Sequence, residues 1–152
     1  MMRSVVVKVA RFDSYAPTGV DIEARLQSIA VTVLEWILLS GSIGLMRVAI
    51  AEAPRFRDLA SSVYAMARER GGQAVARLLA EAAQSELGAL AAAFASEHVT
   101  ATTRLFQDLV ILPLAIRALF GEKLKQLRAE IGPHATRSVA IFLAACRQGG
   151  LV

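Results

Sequence analysis

The chain has 152 residues, 55% of them apolar and 20% charged, with a net charge of +4. That length is one domain with room for a real core, and the charged fraction excludes a disordered acidic or basic tail. The single cysteine, Cys146, excludes an internal disulfide framework and a multi-cysteine zinc site.

In chain order, residues 2–13 (MRSVVVKVARFD) are valine-rich, with propensity divided between helix and strand. Residues 14–19, with Pro17, read as a loop. Asp21 is placed to cap a helix that runs to about Leu39, with Glu23 in its first turn. Within it Asp21, Arg25, Ser28, Thr32 and Glu35 recur at steps of four and three, while Ile22, Leu26, Val33 and Ile37 line another face. The pattern is amphipathic. Residues 28–46 nevertheless reach the ~20 residues of a membrane span, and the mean hydropathy of +0.49 is high. The polar stripe, and a turn at Ser40-Gly41-Ser42 and Gly44, argue against a span. A small membrane-associated helical protein using residues 29–46 is the alternative. The start has no long apolar stretch and no small-residue cleavage site, so it is not a secretory signal. The expected compartment is the cytoplasm.

Ser42 is expected to cap a second helix, which Pro54 ends at about Ala53. A helix over residues 55–70 carries Phe56, Leu59, Ala60, Val63, Tyr64 and Ala67 on one face, and Gly71-Gly72 is expected to stop it. Residues 73–85 form another helix, with Val75, Leu78, Leu79 and Ala82 apolar. Residues 88–94 are an alanine-rich connection. Ser96 is the expected cap of a helix to Leu112. Pro113 then breaks it and opens a short helix to Phe120, closed by Gly121. Residues 122–130 read as a charged exposed segment, and residues 134–147 as the last helix.

The late helices are apolar on several sides, so they must be covered from more than one direction. A two-fold partner is the economical cover. The interface candidates are Phe106, Leu109, Leu112 and Ile116 from one helix and Val139, Phe142, Leu143 and Cys146 from the other. Some of them must face the chain's own core.

No metalloprotease, CxxC, dinucleotide-binding, phosphate-loop or nucleophile-elbow motif occurs. His98 and His134 are far apart, no carboxylates pair, and Cys146 has no base at helical spacing. Neither an enzyme nor a metal or cofactor is expected. The arginines near residues 55–70 are interleaved with Glu52, Asp58 and Glu69, which makes a solvated mixed face rather than a nucleic-acid stripe.

The run LMRVAIAEAPRFRDLASSVY at residues 45–64 is the specific signal. With Arg104, Phe106 and Leu109, then Leu119-Phe120-Gly121, then residues 139–143, it resembles the C-terminal domain of TetR-family regulators of the AefR-like type. Arg47, Ala51, Glu52, Ala53, Arg55, Phe56, Leu59 and Ala60 carry the match. Arg57 stands where the family has proline. The resemblance implies an all-α helical bundle that dimerises through a four-helix bundle and encloses a small apolar ligand. Residues 1–13 then correspond to the end of a connector helix, and residues 14–152 to the sensor and dimerisation domain. No reading-helix pattern of a helix-turn-helix occurs in the sequence, so DNA contact would come only through such a domain. Trp36, Met46, Ile50, Tyr64 and Met66 suit an apolar pocket with one or two polar handles. Glu52 with Arg47 or Arg55 is the expected structural ion pair beside Pro54. The expected partners are a second copy and an unknown apolar ligand. A bare oligomerisation module is a further alternative.

Overall fold

Asp21 opens the first helix as expected. Its Oδ1 accepts the Ala24 N–H at 2.8 Å, which satisfies one of the donors a helix start leaves unpaired. Helix α1 (Ile22–Ile37) follows. The structure is a computed structural model that describes residues 17–86 and 88–149. The connector expected at residues 1–13 lies outside the described residues.

At the end of α1 the Leu38 carbonyl accepts two hydrogen bonds from the Arg128 guanidinium, at 2.7 and 3.1 Å. A cation suits a helix C-terminus, where unpaired carbonyls gather. The chain then bends by 69° into α2 (Ser40–Glu52). The apolar run at residues 28–46 is therefore split between two helices. Among the described residues no single helix is long and apolar enough to cross a membrane. Ser42 does not cap α2. The helix begins two residues earlier, and the Ser42 hydroxyl donates back to the Trp36 carbonyl at 3.1 Å. Pro54 does end it, in a turn after Glu52.

Helix α3 (Arg57–Ser85) is continuous through Gly71-Gly72, where the sequence predicts a stop. Each glycine costs a helix about 1 kcal/mol relative to alanine. Packing against α5 (Val99–Val110) offsets that cost. A Cβ on Gly72 would lie 3.2 Å from the Thr103 Cγ2 and 3.3 Å from the Gln107 Nε2. Gly72 serves close approach of two helices rather than termination. The two halves of α3 differ sharply. Its buried residues, Gly72, Ala74, Val75, Leu78, Leu79 and Ala82, all belong to the second half.

The alanine-rich connection contains a short helix, α4 (Ala89–Phe94), which buries Leu90, Ala93 and Phe94. Ser96 is not the cap of α5. His98 holds that position without a side-chain bond, and the Thr102 hydroxyl ties α5 to the Ala93 carbonyl at 2.7 Å. Helix α6 (Leu112–Leu119) continues α5 after a 47° bend. Pro113 sits in its first turn, where a missing N–H costs no helical bond. Gly121, at φ 97°, closes it.

Helix α7 (Leu124–Arg147) absorbs most of the segment expected to be exposed and runs through Pro133. Proline there leaves the Ala129 carbonyl without its usual donor. Ala129 and Pro133 both face solvent, where an unpaired carbonyl carries little cost. α7 packs along α1 and against α5. The Phe142 ring stacks near Phe94 at 6.5 Å and meets Phe106 edge-on at 5.3 Å. The fold is all-helical, with seven helices and no strand among the described residues.

Candidate functional site

The expected interface residues divide into two sets. Phe106, Val139, Phe142, Leu143 and Cys146 are each 0% exposed within a single chain. They belong to the chain's own core, which corrects their assignment to a partner. Periodicity identifies an apolar face, but it does not say which neighbour covers that face. Leu109 is half-buried against the same core. Leu112 and Ile116 do point outward, 44% and 42% exposed. Two residues absent from the expected set join them as outward apolar groups, Phe120 and Ile141. Ile141 lies two positions from Val139, which is about 200° around a helix. Exposed Ala140 and Ala144 flank it. That stripe of small residues around one large one was legible in the sequence.

The angle between α6 and α7 is held by Arg117. Its guanidinium donates to Glu130 at 2.7 and 2.9 Å and to Glu122 Oε2 at 2.7 Å, with a further bond to Glu122 Oε1. The hydrogen bonds from Arg117 hold both carboxyls below the usual glutamate range. One planar cation thus reads two acids in forked geometry. Nearby, the His134 Nε2 donates to the Val110 carbonyl at 2.7 Å, with the Ser138 hydroxyl 3.3 Å away. That bond satisfies a carbonyl at the break between α5 and α6.

The expected pocket residues do not converge on an enclosed cavity. Trp36 and Met46 are half-buried, and Met46 packs against the core. Ile50, Tyr64 and Met66 are more than half exposed. The first half of α3, which carries Tyr64 and Met66, has no residue buried. A separate depression of about 490 Å³ opens between α1 and α7, lined in part by Thr18, Gln27, Ser28, Thr32 and Thr136. None of the five expected pocket residues lines it.

No cluster of three or more metal-ligating side chains occurs among the described residues. Burial pushes the Cys146 thiol up to about 11, so it stays protonated at neutral pH.

Residues 24–148 match the family model of the AefR-like transcriptional repressor C-terminal domain. The chain belongs to that family. No curated protein and no solved structure matches it. An AefR-like domain is the regulatory ligand-binding and dimerisation part of a TetR-type transcriptional regulator, a non-enzymatic kind of protein.

Of the two partners expected for Glu52 in the motif that carries the family likeness, the structure selects Arg55. Arg47 does not pair with Glu52. Its guanidinium crosses to the C-terminus of α6 and donates to the Ala118 carbonyl at 2.8 Å and the Leu119 carbonyl at 3.3 Å. Glu52 meets Arg55 at 4.0 Å, on the surface. The contact joins residues 71 positions apart in the chain, so the sequence around Pro54 does not reveal it. In this AefR-like domain Arg47 and Arg128 play matching parts, each capping a helix to which its own helix is not adjacent in sequence.

Proposed function

We propose that this chain is the ligand-sensing and dimerising domain of a cytoplasmic TetR-type regulator, and that it acts as a homodimer. One observation carries the proposal: Leu112, Ile116 and Ile141 form outward apolar positions on the last two helices, whose mutual angle Arg117 holds through Glu122 and Glu130. Two copies related by a two-fold axis bring these positions together as a four-helix bundle. An interface of ~800 Å² per partner is the standard size for such a contact.

The sensed molecule is small and apolar. Trp36 and Met46, half-buried where α1 and α2 meet the core, are its nearest aromatic and thioether contacts. Binding favours one arrangement of the helices over another. In a two-fold regulator that difference sets the spacing of two DNA-reading domains against their half-sites. No catalytic, metal or cofactor chemistry enters this scheme.

Sedimentation equilibrium and Trp36 fluorescence test it together, since Trp36 is the single tryptophan. A dimer, and a Trp36 response to at least one member of a panel of apolar compounds, are expected. A monomer at high concentration overturns the dimer. The exposure of Ile50, Tyr64 and Met66 favours one second reading, an oligomerisation module that encloses no ligand. A dimer whose Trp36 never responds selects it.

A further inference from the structure

The contact between α3 and α5 contains a polar group that the fold itself does not use. Thr103 is 7% exposed, and its Oγ1 is buried with no hydrogen-bond partner. A buried hydroxyl is normally paired, because leaving it unpaired forfeits its bonds to water. One turn along α5, Gln107 is 5% exposed and donates from Nε2 to the Arg68 carbonyl of α3 at 2.9 Å. The Thr103 methyl and the Gln107 amide face Gly72, and the Gln107 amide also lies over Gly71. The charged groups beside them, Arg68 and Asp108, are paired at 2.6 Å.

The half of α3 before Gly71 is weakly held. Leu59, Tyr64 and Met66 on it are more than half exposed. The Arg68–Asp108 pair and the Gln107–Arg68 bond are its ties to α5. Two adjacent glycines form the softest point of the helix, between this half and the buried one.

We infer that Thr103 and Gln107 are the recognition point for the polar end of a neutral, apolar, carbonyl-bearing effector, admitted when residues 57–70 swing about Gly71-Gly72. The inference rests on the ligand-sensing role proposed above and names the chemistry of the ligand. When the arm moves, the Arg68 carbonyl withdraws and the Gln107 amide N–H is released. That N–H and the Thr103 hydroxyl are then two donors one turn apart on α5, and one carbonyl oxygen has two lone pairs to offer them. The ligand must be neutral. Thr103 and Gln107 carry no charge, the neighbouring Arg68 and Asp108 compensate each other, and an unpaired charge does not survive burial there.

The test uses the whole chain and three probes: 2-nonanone, nonane and octanoate. Binding is read by thermal shift, which rises with ligand occupancy. 2-Nonanone is expected to stabilise the protein, and octanoate is not. Thr103→Val should weaken 2-nonanone binding roughly tenfold or more while leaving the unliganded protein at least as stable, since it removes an unpaired hydroxyl. Thr103→Ser, which keeps the hydroxyl, should bind within a few-fold of wild type. Hydrogen exchange over residues 57–70 should quicken on binding, and that over residues 73–85 should not. Equal 2-nonanone affinity for wild type and Thr103→Val overturns the inference, as does equal stabilisation by nonane and 2-nonanone. No stabilisation by 2-nonanone also overturns it. In each of those cases a Trp36 response to other apolar compounds leaves ligand sensing intact, and the lack of any response removes ligand sensing as well.

Discussion

Ile141→Glu and Leu143→Glu should separate assembly from folding, although the two residues are neighbours but one in α7. Ile141 is 59% exposed in the single chain, whereas Leu143 is 0% exposed. Fully burying an isoleucine side chain contributes about 1.5–3 kcal/mol. Only the exposed part of Ile141 remains for a partner to cover, which is about 1–2 kcal/mol per copy on the same scale. Two-fold symmetry counts it twice, giving about 2–3.5 kcal/mol. That corresponds to roughly a 30- to 300-fold rise in the dimer dissociation constant. Two carboxylates brought together in an apolar seam raise it further. Sedimentation equilibrium over a wide concentration range reads the constant directly, and circular dichroism shows that the helices persist. Ile141→Glu should therefore be a folded monomer. Leu143→Glu places a charge in the fully buried core and should lose its helices instead. An Ile141→Glu protein that dimerises with the wild-type constant refutes the assignment of that stripe to the interface.

Three further outcomes follow from the geometry. Arg47→Ala removes two charge-assisted bonds to the C-terminus of α6 and should cost about 1–2 kcal/mol by urea denaturation, while Glu52→Ala, on an exposed pair, should stay within about 0.5 kcal/mol of wild type. Equal losses for the two contradict the capping role of Arg47. Because Arg117 depresses the Glu122 and Glu130 pKa values, their contribution is present above the ordinary glutamate pKa and lost as pH falls through the folded values. The stability gap between wild type and Arg117→Gln should thus be open at pH 7 and close in acid, and a gap independent of pH contradicts it. Cys146, buried and with its thiol raised to about 11, should resist a thiol reagent at pH 8 until denaturant is added. Rapid labelling of the native protein would show that face of α7 to be open.

Local signals were legible where the chain obeys them locally. The Asp21 carboxylate, the proline at 54 and the proline at 113 each act on backbone groups within four residues. The helix start, the helix end and the bend all fall near the expected places. The family motif was equally legible as a pattern, though not as a mechanism. The sequence offers Glu52 either Arg47 or Arg55; Arg55 takes it, and the partners of Arg47 are carbonyls that only folding brings near.

Glycine and proline in the middle of long helices mark the boundary of what one dimension can decide. At Gly71-Gly72 the helix continues where α5 approaches closely, most tightly at Gly72. At Pro133 the helix runs on with both Ala129 and the proline exposed, so the unpaired carbonyl is not buried. Neither fact is visible in residue order. The same holds for α7, whose composition announced a helix with apolar groups on several sides. Which of those sides the chain covers itself, burying Val139, Phe142 and Leu143 and leaving Ile141 out, was settled by α1 and α5. Helical class and family come from backbone preferences and residue spacing, which each short segment carries alone. The inner and outer faces come from burial, which belongs to no segment until its neighbours arrive.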